Sequence, residues 1–184
     1  MKTVRNLAFT IATVTLFAAC GNTQKPAEES HDGHDHAKES AAGTTATAGG
    51  VSLKDDRLNA VYPHYLKLST ALIAGDVAEA KVAAQAVELG AKELGNGAAL
   101  LALTSKISNA SDLEVQRTAF AALSADFIER VKASGVNSGE IYVEYCPMAM
   151  NDKGASWLSN DKDIKNPYYG ASMLTCGEVK ETIK

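Results

Sequence analysis

The sequence predicts a mainly α fold: an antiparallel four-helix bundle followed by a loop-rich C-terminal module that contains a short β-strand. Between residues 51 and 135, apolar side chains recur at spacings of three and four, as on helices with one buried face. Turn and capping residues divide this stretch into four segments with short connections, which favours an antiparallel bundle. Residues 141–146, "IYVEYC", instead alternate between two faces, as a strand does, and Pro147 ends the strand.

Composition supports the helical prediction and excludes some classes of function. The chain has 184 residues, enough for one domain with tails, and its 46% hydrophobic content with only 6% aromatic residues reflects many alanines, which favour helix. A formal charge of −4 argues against a broad nucleic-acid-binding surface. Phosphate-binding glycine loops, nucleophile elbows and helical zinc-protease motifs are missing from the sequence, so we expect no enzyme.

The first predicted helix carries one largely apolar face and ends at Gly75. Pro63 interrupts the pattern and either kinks this helix or marks its first turn. His64 follows Pro63, and a single histidine there is interpreted as a packing residue. The predicted face comprises Leu58, Val61, Tyr62, Tyr65, Leu66, Ser69 and Ile73.

The other three helices are predicted from their ends. Asp76 with Glu79 forms a capping box for the second helix, which stops near residues 95–97, "GNG". The third helix runs over residues 98–107. Ser111 with Glu114 forms a second capping box and opens the fourth helix, which Gly135 ends. Within the fourth helix, Asp126 and Arg130 are spaced to pair along its surface.

The N-terminus has the layout of an export signal. Lys2 and Arg5 precede an apolar run, residues 7–19, that is too short to span a membrane and that meets Cys20. Small residues directly before a cysteine are typical of bacterial lipoprotein processing, so residues 1–20 are predicted to be a lipoprotein signal peptide with Cys20 lipidated. The chain would then be exported and lipid-anchored to the cell envelope, on the periplasmic side or at the outer membrane. The alternative is ordinary signal cleavage with Cys20 incidental.

Residues 21–50 are predicted to be a disordered tether between the anchor and a single domain over residues 51–184. The tether contains His31, His34 and His36 beside two aspartates. Imidazole and carboxylate ligands suit Cu(II), Zn(II) or Ni(II), so this segment would collect such ions weakly. The alternative is a solvated spacer of low complexity.

Sulfur is concentrated in the C-terminal module, residues 136–184. Apart from Met1 and Cys20, all cysteines and methionines lie in one stretch of 31 residues: Cys146, Met148, Met150, Met173 and Cys176. Methionine is a good helix former and core filler, so packing alone would place some in the helices. The concentration therefore needs a separate explanation.

Soft-metal binding is one explanation, because thiolate and thioether sulfurs select Cu(I) and similar ions such as Ag(I). Cys146 and Met148 flank Pro147, and Met173 and Cys176 form a second pair that would converge on the first. Pro147 stiffens the first pair and lowers the ordering cost of binding. Two thiolates with one or two thioethers suit Cu(I) better than Zn(II), which prefers four Cys or His ligands.

A disulfide between Cys146 and Cys176 is the alternative, because an even pair of cysteines in an exported protein usually forms one. It would close a loop of about thirty residues, worth about 3 kcal/mol. It would not explain the methionines, and metal binding by the reduced form can alternate with the disulfide. A thiol redox protein is a third hypothesis, although Cys-x-x-Cys is absent. Nothing in the sequence brings Cys146 to His64 as a nucleophile and base.

The C-terminal motifs resemble a domain of unknown function in envelope proteins of Gram-negative bacteria. They are Cys146-Pro147-Met148, the stretch 152–158 ("DKGASWL"), Asn166-Pro167-Tyr168-Tyr169-Gly170, and Met173-Leu174-Thr175-Cys176-Gly177. Asp152 departs from the Asn of the family pattern. The preceding helices, with "VYPHYLKLSTALIAGD" and "FAALSADFIERVK", are also similar, so the resemblance spans residues 53–184.

This family occurs alone in short lipoproteins and fused to periplasmic adaptor subunits of copper and silver efflux systems. The resemblance implies a heavy-metal context, most often copper, with an efflux adaptor as the partner. It implies no settled ligand set. The expected metal ligands are Cys146, Met148, Met173 and Cys176, with Met150 and the tether histidines secondary.

Overall fold

A computed structural model describes residues 50–184 of the chain. The predictions for the signal peptide, for Cys20 and for His31, His34 and His36 concern residues outside this range. Over residues 50–184 the protein is mainly helical, with five helices and two small antiparallel sheets. None of the helices in this range is both long and apolar enough to cross a membrane.

Four long helices occupy the first part of the described chain and pack on one another in sequence order, α1 on α2, α2 on α3 and α3 on α4. Their buried faces form a common core with the largest fully buried aromatic residues, among them Tyr62, Tyr65, Phe120 and Phe127. The helices are α1 Asp56–Ala74, α2 Val77–Ala91, α3 Ala98–Asn109 and α4 Leu113–Ser134.

Capping residues fix where these helices begin and end. Asp76 accepts a hydrogen bond from the Glu79 amide at 2.9 Å, as predicted, and Gly75 ends α1 with a φ of 73° that suits glycine. The predicted cap of α4 is wrong by one residue. Asp112, not Ser111, accepts the Val115 amide at 3.0 Å. The charged aspartate also interacts favourably with the positive end of the helix dipole.

The buried face of α1 follows the prediction in its first half and departs from it in the second. Leu68 and Leu72 are fully buried there, while Leu66 and Ile73 are only half-buried. Pro63 lies well inside α1, so it does not mark the first turn. On α4 the predicted pair is confirmed, with the Arg130 Nε 2.7 Å from an Asp126 carboxylate oxygen.

The C-terminal module is richer in strands than the sequence predicted, because it contains four strands rather than one. Three of them form an antiparallel sheet in the order β4-β3-β5, and the fourth, β2, pairs with β1 in a second sheet. Both outer strands are short, and β5 is mostly exposed and charged, so neither has the apolar alternation that identified β3. The strands are β1 Ser52–Leu53, β2 Val136–Ser138, β3 Ile141–Cys146, β4 Ala155–Ser159 and β5 Glu178–Ile183, with a one-turn helix α5 at Ala149–Asp152 and a 3-10 turn at Gly170–Ser172.

Buried polar side chains join the sheet to the helices. The Tyr65 hydroxyl bonds the Ser124 hydroxyl on α4 and accepts the Leu158 amide of β4 at 3.0 Å. Arg117 donates from Nε to the Pro167 carbonyl at 3.0 Å and from Nη2 to the Leu72 carbonyl at 3.1 Å. The loop after β4 is therefore held against α1 and α4 at defined points.

Candidate thiol and thioether site

The structure brings Cys146 and Cys176 into direct contact, with their sulfur atoms 2.7 Å apart. Cys146 is the last residue of β3 and is fully buried, while Cys176 lies two residues before β5 and is half-buried. The two strands pair antiparallel with Tyr145 opposite Glu178, so residues just beyond those partners must meet. The sheet register thus creates the contact.

The structure shows no bond between the two sulfur atoms, whose separation exceeds the roughly 2.05 Å of a disulfide bond. The pKa of Cys176 is raised to about 11, first by its hydrogen bond with Cys146, then by burial and by negative charge on Cys146. A metal–thiolate bond is about 2.3 Å long, so two sulfurs bound to one ion lie no more than about 4.6 Å apart. The two sulfur atoms would therefore move slightly apart to bind one metal ion, or slightly together to form a disulfide. The geometry fits both the metal-binding and the disulfide hypotheses.

Each cysteine has a methionine close to it along the backbone. Met148 is two residues from Cys146, so their Cα atoms lie no more than about 7 Å apart. Met173 and Cys176 are the ends of a turn in which the Cys176 amide donates to the Met173 carbonyl at 3.1 Å, which also limits their Cα separation to about 7 Å. Met148 is 45% exposed and Met173 is half-buried. Met150 packs partly against the core.

The stretch Asn166–Gly170 fastens the two sulfur pairs to each other. The buried Asn166 donates from Nδ2 to the Cys176 carbonyl at 2.8 Å, and its backbone amide donates to the Leu174 carbonyl at 2.8 Å. The Tyr169 hydroxyl donates to the Met148 carbonyl at 2.7 Å. Three of the four motifs that carry the family resemblance therefore meet at one place. No local sequence signal pointed to these roles of Asn166 and Tyr169.

Tyr169 lies near the thiols as well as near Met148. Burial raises the pKa of Tyr169, and negative charge on Cys146, Asp152 and Cys176 raises that pKa further. The phenol is consequently neutral at physiological pH and remains a hydrogen-bond donor. Trp157 and Tyr168, by contrast, are fully buried and meet edge to face.

Gly177 is required beside Cys176 by both its backbone and its surroundings. Its φ of 147° is outside the range that other residues readily adopt. A Cβ atom there would lie 3.0 Å from the Trp157 ring and 3.0 Å from the Tyr145 carbonyl oxygen. The "TCG" end of the last motif is thus explained by the close approach of β5 to β3.

The residues that follow Met148 form a left-handed turn. Met150, Asn151 and Asp152 have φ values of 55°, 56° and 61°, and they are the only non-glycine residues with positive φ in residues 50–184. This geometry costs roughly 1–2 kcal/mol per residue, with Asn and Asp better tolerated than most. Strain of this kind concentrates at functional sites. The adjacent Asn and Asp were the only sequence signal for it.

Glu144 is a buried carboxyl group on the same face of β3 as Cys146, and no sequence pattern pointed to it. Neither side-chain oxygen has a well-aligned hydrogen-bond partner in the described structure. Burial raises the pKa of Glu144 to about 8, an effect that the nearby Trp157 indole opposes and the charge of Asp161 increases. The carboxyl is therefore largely protonated near neutral pH.

Harder metal ligands do not cluster in the part of the chain that the structure describes. No three side chains of His, Cys, Asp and Glu come together within residues 50–184 in a way that would hold a metal ion. His64 is half-buried on α1, where burial and the charge of Lys67 lower its pKa.

A family model matches part of the chain. Residues 61–139 match the family described as "Protein of unknown function (DUF3347)". This segment begins inside α1 and ends before β3, so it excludes all the sulfur residues of the site. No curated protein and no solved structure matches the chain significantly. The resemblance to a domain of unknown function is confirmed over this segment, and the link to lipoproteins and efflux adaptors stays a prediction.

Proposed function

We propose that this protein is a lipid-anchored, extracytoplasmic metal-binding protein that takes Cu(I) or Ag(I) at the C-terminal sulfur site. It would sequester the ion or deliver it to a periplasmic efflux adaptor. The observation that carries the proposal is the contact between the Cys146 and Cys176 thiols, with a methionine close to each along the backbone. Soft sulfur donors in this combination select monovalent copper or silver over Zn(II).

In this proposal each group has a defined role. Cys146 and Cys176 bind the ion as thiolates, and both lose their protons on binding, because the thiolate is the ligand. Met148 and Met173 supply thioether sulfur, and the exposure of Met148 leaves a path by which the ion enters or leaves. Met150 is a secondary ligand. His31, His34 and His36 capture ions before transfer, and Cys20 carries the lipid.

The helical region acts as the scaffold in this proposal. We infer that α1–α4 form an antiparallel four-helix bundle, which is supported by their short connections and by the packing of each helix on the next. The contacts of Arg117 and Tyr65 with the C-terminal module hold the sulfur site on that scaffold. A rigid scaffold lowers the entropy lost when the ligands are ordered around an ion.

A second candidate function is a structural or interaction module of an envelope efflux assembly without a metal site. Its cysteines would form a permanent disulfide. The observation that favours it is an open apolar groove between α3 and α4, lined by residues that include Leu103, Val115 and Ala119, with Val115 53% exposed. An apolar groove of this kind is typical of a docking surface.

Titration of the reduced protein with Cu(I) separates the two candidates. The protein is purified anaerobically, free thiols are counted, and Cu(I) is titrated against a competing chelator. We expect two free thiols from Cys146 and Cys176 and tight binding of one ion per chain. Met148→Leu with Met173→Leu should weaken binding by at least tenfold, because two ligands are replaced by isosteric hydrocarbon.

Two control variants assign the binding to the proposed residues. Replacing His31, His34 and His36 by Ala should leave the tight site intact and remove only weak binding. Met150→Leu should change affinity by less than the Met148→Leu change. Failure of the reduced wild-type protein to bind one Cu(I) tightly would exclude the metal-binding function, and a Cys146–Cys176 disulfide that resists reduction would favour the structural module.

A further inference from the structure

Tyr169 contacts the sulfur site through an atom that is not a ligand. We propose that Tyr169 is a positioning residue that holds Met148 in place for a soft monovalent cation, so that the thioether is preset before the ion arrives. This inference rests on the proposed function for its metal and adds to it a specific residue and a mechanism. It begins from the hydrogen bond of 2.7 Å that the Tyr169 hydroxyl donates to the Met148 carbonyl.

The backbone at Met148 needs an external anchor, because the chain enters the left-handed turn directly afterwards. Three residues of that turn have positive φ, and each favours a return to ordinary geometry. The Met148 carbonyl accepts one bond from within the turn, from the Asp152 amide, and at 3.3 Å that bond is long. The bond from Tyr169 is shorter and comes from a different part of the chain, so it opposes relaxation of the turn.

Tyr169 can act as an anchor because its own backbone is fixed. Asn166 Oδ1 accepts the amide of Tyr169 at 3.2 Å, and the same Asn166 side chain donates to the Cys176 carbonyl. One short segment therefore links the backbone of Cys176 to the backbone of Met148. Release of the Tyr169 hydroxyl would free Met148 while leaving the Cys176 half of the site attached.

Tyr168 supplies a matched control within the same motif. Its hydroxyl donates to the Ser156 carbonyl at 2.6 Å, so Tyr168→Phe removes a tyrosine–carbonyl hydrogen bond of nearly the same length. That bond ties the loop to β4 and does not involve a sulfur residue. Comparison of Tyr169→Phe with Tyr168→Phe thus separates positioning of Met148 from general loss of a hydrogen bond.

The first measurement is Cu(I) affinity of the reduced full chain by chelator competition. We expect Tyr169→Phe to weaken binding about three- to tenfold, the effect of one lost hydrogen bond, and Tyr168→Phe to change it less than twofold. In the Met148→Leu background, Tyr169→Phe should have no further effect, because the two changes remove the same interaction. Additive losses in the double variant would overturn the proposal, since Tyr169 would then act independently of Met148.

The second measurement needs no metal. In the reduced, metal-free protein labelled with ¹³C at the methionine methyl groups, the Met148 resonance should move toward its averaged, flexible position in Tyr169→Phe and stay in place in Tyr168→Phe. An unchanged Met148 resonance in Tyr169→Phe would refute the positioning role. Absence of Cu(I) binding by the wild-type protein would instead refute the metal-binding function, so the two failures are distinguishable.

Discussion

The helical region, residues 56–134, and the C-terminal module differ in backbone geometry and in side-chain chemistry. Aspartates cap α1, α2 and α4, glycines follow α1 and α4, and the buried helix faces are mainly apolar, while residues 56–134 contain no cysteine or methionine. The module contains all three non-glycine residues of positive φ in residues 50–184, a thiol pair in contact and a buried carboxyl with no well-aligned partner. These exceptions lie within or beside one motif, Cys146-Pro147-Met148.

The difference indicates that the two regions were shaped by different requirements. Natural sequences are locally consistent with their fold, and departures from consistency are expected at functional or strained sites. A region selected only for stability would place Leu or Val where Glu144 lies and Gly where Asn151 lies. The helical region therefore has the properties of a scaffold, and the module has those of a site. Three variants test whether the two regions differ in this way in solution.

The largest effect is expected in the scaffold, from Phe127→Ala. Phe127 is fully buried, and its ring lies 4.7 Å from the Tyr65 ring, which in turn bonds β4. The free energy of unfolding should fall by about 3–5 kcal/mol. Because Trp157 is the only tryptophan and lies in β4, its fluorescence reports the module, while far-ultraviolet circular dichroism reports the helices.

Both signals should follow one urea transition, shifted together, because the module is packed on α4. Val82→Ala is the control: Val82 is 59% exposed, and its loss should change stability by no more than about 0.5 kcal/mol. If the Trp157 transition stays in place while the helical transition shifts, the module is stable without the helices. The helical region would then not be its scaffold.

An intermediate effect is expected in the module, from Glu144→Gln. The raised pKa of about 8 means that the folded protein retains a proton that the unfolded chain releases near 4.5. The contribution of Glu144 to stability is therefore full below pH 4.5 and is lost as pH rises toward 8, at up to about 1.4 kcal/mol per pH unit. Gln has no proton to lose, so this slope should disappear, as measured by urea unfolding between pH 5 and 8.

Glu140→Gln is the control for this slope. Hydrogen bonds from Lys184 and Tyr142 lower the pKa of Glu140, whereas the pKa of Glu144 is raised. That variant should alter the pH dependence only below about pH 4.5, where Glu140 takes up a proton. Equal slopes in wild type and Glu144→Gln between pH 5 and 8 would mean that Glu144 is ionised when folded, and that the module does not keep a neutral carboxyl.

Most of the helical region could be predicted because its signals are local. Asp76 and Gly75 specify helix ends through contacts within four residues, and the spacing of Leu58, Val61 and Tyr65 specifies a buried face. Where the prediction failed, two local signals competed. Ser111 and Asp112 are both good caps, and the exchange of Leu66 for Leu68 on the buried face depends on which neighbouring helix covers that side.

The module could be predicted only in part, because its organisation is non-local. The alternation in β3 was visible, but β4 and β5 are strands chiefly because β3 pairs with them. Cys146 and Cys176 were predicted as site residues because cysteine is rare in this chain. Rarity indicates that a site exists but says nothing about how its residues are arranged. The hydrogen bond from Tyr169 to Met148 joins residues 21 apart and follows no period. The burial of Glu144 could not be predicted, because the polar face of a strand that has one apolar face is ordinarily exposed to solvent.

The smallest effect is expected at the strained turn, from Asn151→Gly. Asn151 has a φ of 56°, which glycine adopts without a steric penalty, so the free energy of unfolding should rise by up to about 1 kcal/mol. Lys153→Gly is the control in the same turn: Lys153 has an ordinary φ of −80°, and glycine there should destabilise by about 0.5–1 kcal/mol. Opposite signs from positions two residues apart would establish that strain is stored beside Met148. A loss of stability from both variants would mean that the turn is not left-handed in solution, and the contrast between scaffold and site would then rest on the thiol pair and Glu144 alone.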